Sequence, residues 1–270
     1  MNILSFDTST SEIHLSLLDG AKLVLERKIA FPQENGQPRQ ETVSALMPAI
    51  DAIVEDAGWT KPEIDCLVVG ESPGSFTGIR TTVVTARTLA QALKVPLLAV
   101  SKLECHADDF EEPVTIILSA GKGDYFAAAY TKNAGGQSSE IVKASHFRKD
   151  DLVAGLGLGA GGTRHWAADR QALQEIAELN AETTALPEIE NMATRQAQIA
   201  FRRVSSKLES RLTEARSGDP GGSSHKEKPV QDIQKASDRS ILLNDFPYQT
   251  VTPLYLRSPS VTIKKPAAPQ

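Results

Sequence analysis

Apolar and polar residues alternate from the start of the chain. Residues 2–6 and 12–18 each have the period-two pattern of a strand, and Ile13, Leu15 and Leu17 share one face of the second. Asp19-Gly20 is a hairpin signal, and a third strand is predicted over 22–30. After a polar loop at 31–40 the period lengthens. A helix is expected over 41–57, with Val43, Leu46, Met47, Ile50, Ile53 and Val54 as a broad apolar stripe and Gly58 as its C-cap. A short strand at 67–69 then runs into a turn built from Gly70, Pro73, Gly74, Ser75, Thr77 and Gly78. The helix expected at 79–93 is unusual, because nearly every residue is small or apolar and Arg80 and Arg87 are its only charges. Ile79, Val83, Ala86 and Leu93 form one stripe, and Thr82, Thr85, Leu89 and Ala92 fill the neighbouring rows. Such a helix has no strongly solvated face, so it must be covered on more than one side.

A strand at 95–100 follows, and Ser101 with Glu104 is a capping-box start for another helix. Strands at 114–118 and 125–131 flank Ser119 to Asp124, and helices are expected at 169–179 and 191–212. Residues 215–240 are rich in Ser, Gly, Lys, Asp and Pro; this composition predicts a disordered insertion. A last strand is expected at 251–256, then a Pro-rich tail at 258–270. No internal sequence repeat is visible. Three meandering strands ahead of alternating helices and strands suit a ribonuclease H-like α/β unit better than a Rossmann unit, and the pattern restarts near residue 114.

Composition narrows the function. The chain has 270 residues, 40% hydrophobic and 23% charged, with a formal net charge of −5. No apolar run approaches the roughly 18 residues of a membrane span, and no signal-peptide pattern opens the chain, so a cytoplasmic protein is expected. Cys66 and Cys105 lie in or beside apolar strands and read as buried thiols. Arg202, Arg203, Lys207 and Arg211, interleaved with Glu209 and Glu214, and then Lys264 and Lys265, read as solvated faces. With an acidic net charge, any link to RNA is expected to run through a partner.

Candidate chemistry is sparse. His14, His106, His146, His165 and His225 show no metal-ligand spacing. Ser75 lacks the Gly-x-Ser-x-Gly spacing of a nucleophile elbow, since Gly74 directly precedes it and Gly78 lies three residues on. Gly157, Gly159 and Gly162 match a Gly-x-Gly-x-x-Gly run, but outside the first βαβ unit they read as a tight turn. Asp7, Thr8, Ser9 and Thr10 are the better candidate, because a strand-end carboxylate followed by hydroxyls can hold a magnesium-bound phosphate. The alternative is that Asp7 caps its own turn. The matching turn of the second half carries Ser119 where a second carboxylate would be needed, which favours a degenerate pocket.

Taken together, the motif at Ile3–Thr10, Pro48-Ala-Ile50, Gly70, the block Pro73-Gly-Ser-Phe-Thr-Gly-Ile-Arg80, Val95-Pro96, Val100–Leu103 and Pro253–Arg257 resembles the bacterial TsaB (YeaZ) family. The resemblance is strong over 1–104, thin over 105–250, and returns at 251–257. It implies two ribonuclease H-like lobes in the actin/Hsp70-like (ASKHA) architecture. The first would span 1–104, and the second 105–257 with the insertion at 215–240. It also implies a non-catalytic scaffold in the synthesis of threonylcarbamoyladenosine at position 37 of tRNA. Such a scaffold binds the TsaD transferase, is joined by TsaE, and meets tRNA only through the complex; the exposed apolar helix pair in turn suggests a homodimer when free. No metal and no cofactor of its own are implied, with nucleotide only at an interface with partners. The carried-over partner interface is Leu46, Met47, Ile50, Val54, Thr82, Thr85, Ala86, Leu89, Ala90 and Leu93, with Pro73, Gly74, Ser75 and Gly78 setting the second helix. The chain departs from the family pattern at Thr42, Glu71-Ser72 and Ser119–Gly121. The competing expectation is an active ATPase or small-molecule kinase of the same architecture, using Asp7.

Overall fold

The period-two segments at the start of the chain pair as expected. In the computed structural model, which describes residues 1–31, 33–34, 37–38, 42–156, 165–176, 179, 182–217 and 242–252, β1 (Asn2–Asp7), β2 (Glu12–Asp19) and β3 (Lys22–Ala30) form an antiparallel meander. The turn between β2 and β3 needs a left-handed residue, and Gly20 supplies it at φ 60°. After the two-residue strands β4 (Gln33–Glu34) and β5 (Gln37–Pro38), α1 (Thr42–Asp56) leads to β6 (Cys66–Gly70), α2 (Phe76–Leu93) and β7 (Leu97–Val100). The first sheet has the order β3-β2-β1-β6-β7, with β6 and β7 added in parallel.

Helix α3 (Lys102–Ala107) joins this sheet to a second one. β8 (Val114–Gly121), β9 (Asp124–Lys132) and β10 (Ser138–Arg148) repeat the meander; α4 (Lys149–Gly155), β11 (His165–Ala168), α5 (Arg170–Ile176) and β12 (Thr184–Ala185) follow. The order β10-β9-β8-β11-β12 reproduces that of the first sheet, strand for strand. The protein is therefore two ribonuclease H-like α/β lobes, alike in topology although no sequence repeat relates them. The β8–β9 turn holds both Lys122 and Gly123 at positive φ, 60° and 75°, the geometry of a tight two-residue hairpin.

Both faces of the first sheet are covered. Leu4, Phe6, Ile13, Leu15, Leu17, Leu67 and Val69 meet α1 and α2. On the other face, Ile3, Leu18, Cys66, Val68, Leu98 and Val100 meet α6 (Met192–Ser217) through Met192, Ala197, Ile199, Ala200 and Val204. This corrects the expected division at residue 104, which assigned the helix at 191–212 to the second lobe. Six apolar side chains of the first sheet would otherwise face water, and burying them is what recruits the helix. Its start is stitched to β2: the Met192 N–H donates to His14 Nδ1 at 3.0 Å, and Asn191 Nδ2 donates to the Leu15 carbonyl at 3.3 Å. Residues 242–252 return to the same lobe. Leu242 joins the α6 face, and Val251, after a 3-10 turn at Tyr248–Thr250, joins the α1/α2 face. The expected strand at 251–256 lies outside the described residues from 253 on, as do residues 218–240 of the expected insertion and the tail at 258–270.

Helix α3 is shared between the lobes. Cys105 packs in the first lobe's α6-side core, while Leu103 and Ala107 pack with Val114, Ile116 and Leu118 of β8. An ion network reinforces the junction. The Asp108 carboxylate, at the end of α3, pairs with Lys132 of β9 at 3.1 Å, Arg202 of α6 at 2.6 Å and Arg195 of α6 at 3.5 Å. Both cysteines are buried and free, as expected.

Candidate functional site

The two turns singled out from sequence lie against each other at the edge of the first lobe. Ser75 caps α2, its hydroxyl accepting the Gly78 N–H at 3.3 Å, so the helix begins at Phe76, three residues earlier than the pattern predicted. The Ser75 N–H donates to the Ser9 carbonyl at 2.9 Å, and the Thr8 hydroxyl donates to the Gly78 carbonyl at 2.9 Å. Two glycines make this approach feasible. A Cβ at Gly78 would stand 2.0 Å from the Thr8 carbonyl oxygen, and one at Gly74 would stand 2.5 Å from Ser9 Cβ. The 8–10 turn thus packs into one side of the Pro73–Gly78 block, while Gly74 to Thr77 stay exposed on the other.

Asp7 is closed off in the same way. Its side chain is 1% exposed; Oδ1 accepts the Ser9 N–H at 2.6 Å, and Oδ2 accepts the Gln196 side-chain amide at 2.6 Å. Gly70 lies directly behind it, where a Cβ would be 2.0 Å from Oδ2. The Asp7 carboxylate is therefore a turn cap held by a helix 189 residues away in sequence. Sequence reasoning missed Gln196. The one signal was a polar residue in the apolar row Met192, Ala193, Gln196, Ala197, Ala200, where it is fully buried.

A cavity of about 290 Å³ opens between the lobes beside these turns. The first lobe contributes Pro73, Gly74, Lys102 and His106 to it; the second contributes Leu118, Ser119, Ala120, Phe126 and Asp169. Asp169 precedes α5 and is held by the Ala172 N–H on Oδ1 and the Ser119 N–H on Oδ2, each at 2.8 Å. Ser119 stands where a second phosphate-site carboxylate was sought, and its hydroxyl accepts the Gly121 N–H at 3.1 Å. Burial pushes the His106 imidazole down to about 4, helped by Lys102 and Arg195, so it is neutral at physiological pH. Glu71, just past β6, has its carboxyl raised by burial; Arg203 pulls it down, and Glu104 and Glu140 push it further up.

The carried-over interface residues divide by orientation. Leu46, Ile50 and Val54 of α1, with Ala86 and Ala90 of α2, are packed in their own lobe's core. Thr82 is fully buried, its hydroxyl accepting the Thr8 N–H at 3.0 Å. These six cannot touch a partner without unfolding the lobe. Met47, Thr85, Leu89 and Leu93 are half-buried. The outward row of α2 is Thr77, Arg80, Val84, Thr88, Gln91 and Ala92, with Val84 54% exposed. The buried row is the stripe Ile79, Val83 and Ala86 read from the sequence, and Arg80 and Gln91 mark the outward one.

Three arginines of the basic run on α6 pair with carboxylates elsewhere in the fold. Arg203 pairs with Glu104, Arg211 with Asp245, and Arg202 with Asp108. Histidines are engaged similarly: His14 accepts the Met192 N–H, and His165 Nε2 bonds Thr184 Oγ1 at 3.1 Å. Among the described residues no cluster of His, Cys, Asp or Glu could hold a metal, and no helix is long and apolar enough to cross a membrane. Gly157, Gly159 and Gly162 lie outside the described residues, between α4 and β11.

The model of one protein family, TsaD, tRNA N6-adenosine threonylcarbamoyltransferase, matches residues 38–264. The chain belongs to that family. Relatives named as TsaB and relatives named as the transferase both match it. The chain is 32% identical over 133 residues to the tRNA threonylcarbamoyladenosine biosynthesis protein TsaB of Bacillus subtilis, covering 48% of this chain and 55% of that one. It is 30% identical over 186 residues to the tRNA N6-adenosine threonylcarbamoyltransferase of Sphingopyxis alaskensis, covering 59% and 52%. The chain thus spans about half the length of the curated relatives it matches. The solved structure of YeaZ from Pseudomonas aeruginosa superposes with a TM-score of 0.58 at 19% identity, over 77% of this chain and 93% of that one. That likeness establishes the TsaB/YeaZ fold, in agreement with the paired sheets.

Proposed function

We propose that this chain is a non-catalytic subunit in the synthesis of threonylcarbamoyladenosine at position 37 of tRNA, serving as a scaffold for TsaD. The observation that carries the reading is the closed strand end. Asp7, the carboxylate at the end of β1, is occupied by Ser9 and Gln196. Phosphate chemistry then falls to the partner, and this chain works through its surface and holds no cofactor of its own. The surface is the outer face of α1 and α2, which carries the half-buried Met47, Thr85, Leu89 and Leu93 and the exposed Val84. Small residues there allow a partner helix to approach closely, and two helices a side can bury an interface of standard size, about 1,600 Å². TsaE joins the assembled pair, tRNA is met only through the complex, and two free copies pair through the same face.

Depleting the protein and measuring threonylcarbamoyladenosine in bulk tRNA tests the role; unchanged levels sink it. Val84→Glu tests the surface and is expected to leave the fold intact and abolish co-purification with TsaD. Ala86→Glu is unsuitable, because residue 86 is fully buried and the variant would unfold. Turnover of Mg-ATP by the chain alone would restore the kinase or ATPase reading.

A further inference from the structure

A scaffold role leaves the inter-lobe cavity without a purpose, yet its walls are chemically organised. Its volume, about 290 Å³, sits at the lower end of the roughly 300–1,000 Å³ typical of small-molecule sites. Two opposite charges border it. Lys102 is anchored through its backbone N–H on the Ser72 carbonyl at 2.7 Å, and its ammonium makes no ion pair among the described residues. Asp169 is fixed by two N–H donors, one on each oxygen, which leaves a lone pair on each for a ligand. Leu118 and Phe126 supply apolar wall between them. His106, 8% exposed, has an Nδ1 with no hydrogen-bond partner. Such an atom is costly to bury unless something else completes the site.

These charges select among ligands. A bare anion would meet Asp169 uncompensated, and a bare cation would meet Lys102. A nucleoside triphosphate brings several negative charges to a single lysine, and Asp7 is shut behind Gln196 where its metal would sit. A small zwitterion answers both walls at once. We propose that this cavity binds a free α-amino acid, with its carboxylate on the Lys102 ammonium, its ammonium on the Asp169 carboxylate, and its side chain against Phe126 and Leu118. The site is independent of the scaffold reading, since binding would be a property of this chain alone.

The test is isothermal titration of the full-length chain with each of the twenty free amino acids in turn. At least one is expected to bind at one per chain. Lys102→Met keeps the aliphatic stem and is expected to weaken that binding at least about tenfold, the scale of one charge-assisted contact, with an unchanged melting temperature. Lys102→Arg should retain binding, and the N-acetyl derivative of the bound amino acid, which lacks the ammonium, should bind at least about tenfold more weakly. Absence of binding by all twenty overturns the proposal, as does equal affinity in Lys102→Met, equal affinity for the N-acetyl derivative, or displacement of the amino acid by Mg-ATP.

Discussion

Replacing Gln196 by Leu isolates the contact that closes the strand end. The substitution is near-isosteric and leaves α6 its helical propensity, so the main change is loss of the 2.6 Å hydrogen bond to Asp7 Oδ2. Asp7 is 1% exposed, and water cannot readily replace the lost donor. A hydrogen bond to a buried charged group is worth roughly 1.5–3 kcal/mol, and stranding the charge adds to the loss, so a destabilisation of about 2–3 kcal/mol is expected. For a chain of this size that lowers the melting temperature by about 4–12 °C. Asp7→Asn supplies the control. The Gln196 amide has an unpartnered Oε1, so turning it over lets the introduced side-chain amide donate to it while the Ser9 cap survives. That variant also removes a buried ion, and its cost should stay within about 1 kcal/mol. Urea unfolding followed by circular dichroism measures all three proteins. The reasoning fails if Gln196→Leu costs under about 0.5 kcal/mol, or if Asp7→Asn is the more damaging change.

Further expectations concern the junction and the thiols. Burial works to raise the Asp108 carboxyl, but hydrogen bonds and charge from Arg202 and Lys132 outweigh it and hold the group below its ordinary range. A depressed carboxyl contributes stability that is present above the unfolded value near 3.9 and lost as pH falls through the folded value. Asp108→Asn should therefore lose about 2–4 kcal/mol at pH 7 and show a flatter acid limb in urea midpoints recorded between pH 2 and 6; an unchanged pH profile would refute this. Glu71 has the opposite sign. Its raised carboxyl means that stability is present below the unfolded value and lost as pH rises through the folded one. Glu71→Gln should thus raise the melting temperature at pH 7.5 and leave it nearly unchanged at pH 4, and equal shifts at both pH values would contradict the argument. Burial raises the Cys66 and Cys105 thiols, so both should resist a disulfide reagent in the native protein and react on unfolding; fast native labelling of either would show the core to be open.

Much of the architecture was visible in the sequence because its signals are local. The alternation at 2–6, 12–18 and 22–30 set the opening meander, and Gly20 marked its turn. The stripe along 41–57 with Gly58 set α1, and Ser101 set the start of α3, whereas α2 begins at Phe76, ahead of the expected 79. β10, α4, β11 and β12 escaped notice. In β10 and α4 apolar positions are few and interrupted by charge, and β11 and β12 are only 4 and 2 residues long, so no period stands out. The repeated topology of the two sheets was equally hidden, since strand order is a matter of pairing and the two halves share no sequence repeat.

The candidate site separates the two sources of information most clearly. The sequence alone established that Asp7 and the Pro73–Gly78 block were special, because a strand-end carboxylate and a dense glycine turn are unusual wherever they stand. It could not establish what fills them. The glycines admit the 8–10 turn, and Gln196 arrives on a helix that the chain order seemed to give to the other lobe. The sequence did give α2 a phase, since the stripe Ile79, Val83 and Ala86 lies inward and Arg80 and Gln91 outward, but the interface positions carried over from the family did not follow it. Packing then puts Ala86 in the core and Val84 in solvent. The closing of the strand end, by contrast, rests on contacts between residues distant in the chain, and no local pattern encodes them.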